Sequence, residues 1–223
     1  MNWTNLLLNV LYVLPGIVIG LTVHEFMHAF VAARLGDTTA RDQGRLTLNP
    51  LRHVDPVGLL FLLIAGFGWA KPVQINRAAL RHPRRDDALI SFSGPAANLV
   101  TALLLSVLFW LASLVAPVTQ DASGNLSVFW LVFFRTITIN YALFIFNLLP
   151  IPPLDGSHLL FAIIKVSPET EAKMYRYGAT AFLGLLIASL FLQQVVGFGL
   201  FDWIQPLVLS IAIWVLRLFG MGG

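Results

Sequence analysis

Long uninterrupted apolar runs constrain this chain more than any other feature. The first extends from about Leu6 to Ala33, the second from about Ala88 to Ala116, and a third from near Val128 to about Ile164. Two more lie near Tyr177–Val196 and Trp203–Leu218. A helix needs about 20 apolar residues to cross the hydrocarbon of a bilayer, and most of these runs supply them. Composition agrees: only 11% of the residues are charged and 57% are hydrophobic. So few charges cannot clothe a water-soluble fold, whereas lipid accepts the apolar surface directly. The expected architecture is an all-α polytopic membrane protein with about five to six transmembrane helices. It forms a single membrane-embedded domain over residues 1–223.

The third run is too long for one crossing, and Pro150, Pro152 and Pro153 must interrupt it. Between the first and second runs lies a polar segment, 34–87. Its apolar island Val57–Trp69 is too short to cross and reads as a re-entrant or interfacial piece. The β-prone stretches RLTLNP and KPVQIN on either side of the island suggest a small hairpin near residues 45–75. Nine basic residues, from Arg34 to Arg85, fall in this polar segment, while the connections 117–127 and 197–202 carry none. That asymmetry places 34–87 and the linker 165–176 on the cytoplasmic side, as expected for a multi-pass protein of the cell membrane. The clustered bases therefore answer to topology, and no nucleic-acid partner is expected. No cleavable leader is evident, and the absence of cysteine excludes thiolate ligands and nucleophiles.

Chemistry concentrates in His24-Glu25-Phe26-Met27-His28, in the final third of the first run. Positions i and i+4 share a helix face, so both imidazoles can reach one metal ion, and ionisable groups within a span mark function. Glu25 is placed to accept a proton from a water that the cation activates for attack on a peptide carbonyl. A catalytic zinc site takes three protein ligands, so a third donor is required. His53 and His82 belong to the polar loop, and Asp37 lies beyond Gly36. Asp155 is the stronger candidate, because a carboxylate in broken apolar sequence is expensive unless it is paired or metal-bound. Capping of the helix after the proline turn is its alternative role. Two histidines and a carboxylate also suit non-haem iron.

HEFMH together with Asn147-Leu-Leu-Pro-Ile-Pro-Pro-Leu-Asp155-Gly156 resembles the site-2 protease family of intramembrane zinc metalloproteases. Ser93-Gly94-Pro95-Ala96-Ala97-Asn98 resembles its Gly-Pro-x-x-Asn element, and the region around Gly66-Phe67-Gly68 is similar too. The resemblance implies one Zn2+ ion held by His24, His28 and Asp155, with Glu25 as general base. It also implies that Asn147 holds substrate backbone or the oxyanion, although a buried Asn can equally satisfy carbonyls of the broken helix. For Asn98, packing or hydrogen bonding between helices is the expected role, and for His158 a structural one. The chain looks like a compact member, without a PDZ or C-terminal regulatory domain. Its partner would be a membrane-spanning protein substrate within the lipid bilayer, cleaved in or next to a transmembrane segment towards the cytoplasmic side. The alternatives are a non-catalytic metal-binding membrane protein and an ion or metal transporter, for which internal repeats or polar residues in several spans are expected.

Overall fold

A computed structural model describes residues 3–65, 68–120, 124–164 and 166–220. Gly66 and Phe67 of the re-entrant motif, Asp121 and Lys165 lie outside the described residues. Helix α1 covers Trp3–Leu35 and α4 covers Pro83–Val115, 33 residues each. At 1.5 Å per residue each is about 50 Å long, more than the hydrocarbon thickness, so the polar end of α4 projects beyond it. Helix α5, Val128–Asn147, is a 20-residue span. Helix α7, Pro168–Val196, completes four helices long and apolar enough to cross a membrane, and α8, Ile204–Leu218, is a shorter apolar helix. Between these, α2 (Thr39–Asp42), α3 (Pro56–Ala65) and α6 (Asp155–Ile163) are brief. The protein is thus an all-helical polytopic membrane protein.

Helices α1, α4 and α5 pack on one another, α6 lies against α4, and α8 packs on α5 and α4. Phe109, Trp130, Ile137 and Tyr141 fill the core with Val208 and Ala212 of α8. Large apolar side chains such as Leu104, Leu108, Phe191 and Val195 point outwards. In water they would be a liability, but they are the expected lipid-facing surface.

Two details depart from the sequence expectation. Helix α7 begins at Pro168, so most of the linker 165–176 is helical. Ser167 caps it by accepting the Thr170 amide at 3.2 Å, proline occupies the first turn, and Glu169 and Glu171 complement the helix dipole there. The hairpin near 45–75 is the other. Among the described residues no strand forms; one isolated antiparallel bridge joins Val54 to Ala70, with the Lys71 amide donating to the His53 carbonyl at 2.8 Å. Pro50, Pro56 and Pro72 remove ladder donors, and side chains take over the backbone groups that a ladder would use. The Lys71 carbonyl accepts from Arg45, the Asn76 amide donates to buried Asp37 at 2.6 Å, and the Val73 amide donates to Glu25 at 2.8 Å. The stretch 71–76 is accordingly extended and tied to α1 through side chains.

Candidate metal centre

His24 and His28 project from one face of α1 with ring centroids 4.5 Å apart. Asp155 is the first residue of α6, carried there by the proline-rich turn that ends α5. The cap position belongs to Leu154, which makes no side-chain capping bond. A Cβ on Gly156 would stand 2.3 Å from the Leu148 carbonyl oxygen, so glycine is what lets α6 start so close to the end of α5. The result is a tight triangle. The two Nε2 atoms are 3.0 Å apart, and Asp155 Oδ2 lies 3.0 Å from His24 Nε2 and 3.4 Å from His28 Nε2.

Hydrogen bonding at the far side of each ring fixes which nitrogen is which. Asn98 Nδ2 donates to the Gly20 carbonyl at 2.9 Å and to Asn140 Oδ1 at 3.2 Å, so its Oδ1 faces His24. His24 Nδ1 therefore donates to Asn98 Oδ1 at 2.7 Å. His28 Nδ1 faces the Ile90 carbonyl at 2.8 Å, which can only accept. In a neutral imidazole with Nδ1 protonated, Nε2 carries the lone pair. With both rings neutral, two Nε2 lone pairs and a carboxylate converge, and Asp155 Oδ2 is buried without a hydrogen-bond partner. Such a cluster calls for a cation. Tetrahedral zinc with bonds of about 2.0–2.1 Å sets its ligands about 3.3 Å apart, close to the separations seen here. The residues fit the ion.

Helix α4 supplies the support. Gly94 passes so close that a Cβ there would meet His28 Cε1 and Nε2 at 2.5 Å and His24 Cε1 at 2.8 Å. Gly94→Ala should therefore push the imidazoles apart and lower stability by about 1–3 kcal/mol. Substoichiometric zinc in the purified variant is the measurement to make. Asn98 and Asn140 are both fully buried and join α1, α4 and α5 through one chain of amides, ending at the Thr136 carbonyl 2.9 Å from Asn140 Nδ2. Asn98→Leu should weaken zinc binding by about 10–100-fold, read by competition with a chelator, because His24 loses the partner that orients it. Of the two roles expected for Asn98, packing or hydrogen bonding between helices, the structure shows the second; Asn140 carried no signal beyond being polar within a span.

Glu25 is buried beside the cluster, with Oε2 accepting the Val73 amide. A cavity of about 430 Å³ opens over these groups, lined also by Asn147, Pro72 and Ile75. Asn147 Nδ2 donates to the Leu143 carbonyl of its own helix at 3.0 Å, so it satisfies a helix carbonyl and lines the cavity at once. His53 and His82 stay in the polar segment: the His53 ring bonds the Thr47 carbonyl at 2.8 Å, and His82 precedes α4, its amide donating to Asp86 at 2.8 Å. His158 turns from the cluster towards Asp87, 2.7 Å away, in a group with Arg77 and Glu171. Burial opposes the Arg77 charge, but hydrogen bonds to Asp87 and Glu171 outweigh it and hold the guanidinium above its usual range.

Comparison with known proteins places the chain in a family. The model of peptidase family M50 matches residues 111–189, which include the proline-rich turn and Asp155. YwhC of Bacillus subtilis, named a "Putative zinc metalloprotease", is 40% identical over 183 residues, covering 80% of this chain and 81% of its own. The chain belongs to peptidase family M50. Rip2 of Mycobacterium tuberculosis strain H37Rv, with the same descriptive name, is 31% identical across 87% of this chain and 73% of its own. The Regulator of sigma E protease of Haemophilus influenzae is 39% identical over 77 residues, covering 31% of this chain and 17% of that protein. No solved structure matches. For an M50 chain with four helices apolar enough to span, the metalloprotease reading holds over a transporter or a non-catalytic metal binder.

Proposed function

We propose that this M50 protein hydrolyses peptide bonds in or next to the transmembrane segments of membrane-protein substrates, using one zinc ion held by His24, His28 and Asp155. The observation that carries the reading is the convergence of the two Nε2 atoms, 3.0 and 3.4 Å away, on a buried carboxylate oxygen that has no hydrogen-bond partner. When bound, zinc supplies a Lewis acid that polarises a carbonyl and makes water acidic enough to deprotonate near neutral pH. Glu25 accepts that proton and returns it to the leaving amine, its carboxylate held towards the cavity by the Val73 amide. Asn147 has a second amide N–H beyond the one given to Leu143, and it can receive a substrate carbonyl. The extended stretch 71–76 lies along the same cavity and offers backbone groups to a locally unwound substrate. Unwinding is required, because helical backbone hides its carbonyls in its own hydrogen bonds.

The whole of 1–223 acts as one membrane-embedded domain in the cell membrane. The positive-inside bias puts the polar segment 34–87 in the cytoplasm, so the site, at the inner third of α1, receives water from that side. Removing metal with 1,10-phenanthroline should abolish cleavage of a co-reconstituted single-span reporter, and added zinc should restore it. Cleavage that continues in fully metal-depleted protein would contradict the proposal.

A further inference from the structure

A second cavity, of about 400 Å³, has no part in the chemistry above. Its walls are Leu14, Ile17, Val18 and Leu21 of α1, Ala142 and Leu143 of α5, residues 68–70, and part of the segment 50–59 that leads into α3. That volume lies within the range of about 300–1,000 Å³ typical of ligand pockets. The lining is mostly apolar, with Thr22, His53 and Asp55 as its polar side chains. Asp55 Oδ1 caps α3 by accepting the Val57 and Gly58 amides at 2.8 and 2.9 Å. Both His53 ring nitrogens face protein partners, Thr47 and Arg45. A predominantly apolar occupant matches this lining.

The same three elements line both cavities in the same order. On α1, residues 14–22 line the apolar cavity and 24–28 the metal cavity; on α5, 142–143 precede 147; in the connecting segment, 68–70 precede 72–77. All three walls thus run from one cavity into the other. The apolar cavity lies nearer the middle of α1 and α5 than the metal cavity does, which on the topology proposed above is deeper in the membrane.

From this continuity we infer that the second cavity is a specificity subsite. It takes bulky apolar side chains of the substrate from the membrane-buried side of the scissile bond. The inference rests on the proteolytic reading of the metal cavity and adds what the enzyme would select. A chain lying along 68–77 with its scissile peptide at the metal places its more deeply buried residues against Val18 and Ala142. Large aliphatic or aromatic residues there gain burial, while small ones leave the space empty.

Two zinc-binding probes of different reach separate the possibilities: acetohydroxamate, and a peptidyl hydroxamate carrying consecutive leucine side chains. Their affinities are measured by calorimetry on the detergent-solubilised, zinc-loaded protein and on two cavity-filling variants from different walls, Val18→Phe and Ala142→Phe. The expected result is roughly tenfold or greater weakening of the leucine probe in both variants, with acetohydroxamate unchanged. If both variants bind both probes as the wild type does, or lose both alike, the subsite is overturned. In the former case an acyl chain of lipid is the better occupant. Failure of acetohydroxamate to bind the zinc-loaded wild type would instead sink the metal-site reading itself.

Discussion

Asp155→Ala is expected to leave the protein unable to retain zinc. His24 and His28 alone give two neutral donors, and a two-coordinate site with no charge compensation binds weakly. Among the described residues, the carboxylate supplies the only negative charge in direct contact with both imidazoles, at 3.0 and 3.4 Å. Its removal should lower the zinc content of purified protein from one equivalent to near zero, with cleavage lost in parallel. Folding should survive, because Asp155 Oδ2 makes no hydrogen bond whose loss would strand a partner. A variant that keeps full zinc would show that Asp155 serves α6 and not the ion.

Glu25→Gln should separate binding from chemistry. Glutamine nearly matches the shape of glutamate and can still accept the Val73 amide through its carbonyl oxygen. It cannot take a proton at neutral pH. General-base contributions are typically about 10²–10⁴-fold, so cleavage should fall by at least that factor while zinc stays at one equivalent. Equal cleavage by the wild type and the variant would remove Glu25 from the mechanism. Loss of zinc together with activity would make it a ligand or a structural support.

How much of this was legible in the sequence depends on how local the information was. The apolar runs gave the membrane architecture because span length is a property of contiguous residues. The pairing of His24 with His28 needed only the helical repeat. Asp155 lies 127 residues beyond His28 in the chain; its convergence on the pair was legible because a carboxylate amid prolines and apolar residues is costly without a partner. Asn140, by contrast, is a polar residue like Thr136 or Thr138 beside it, and only the meeting of α4 and α5 shows that it backs Asn98. The group of Arg77, Asp87, His158 and Glu171 draws on four separate segments, so no window of sequence contains it. The hairpin near 45–75 did not form for a physical reason: β-prone composition suggested strands, but prolines and buried side chains such as Asp37 and Arg45 took the backbone bonds that a ladder requires.

Zinc K-edge X-ray absorption on the purified wild-type protein, read beside its His24→Ala and Asp155→Ala variants, tests the metal centre most directly. The expected spectrum has only nitrogen and oxygen neighbours at about 2.0–2.2 Å, two of them imidazole, with one zinc per chain. His24→Ala should lose one imidazole contribution or the metal altogether, and Asp155→Ala should lose the metal. Stoichiometric zinc whose imidazole count and oxygen shell are unchanged in both variants would place the ion elsewhere and contradict the assignment.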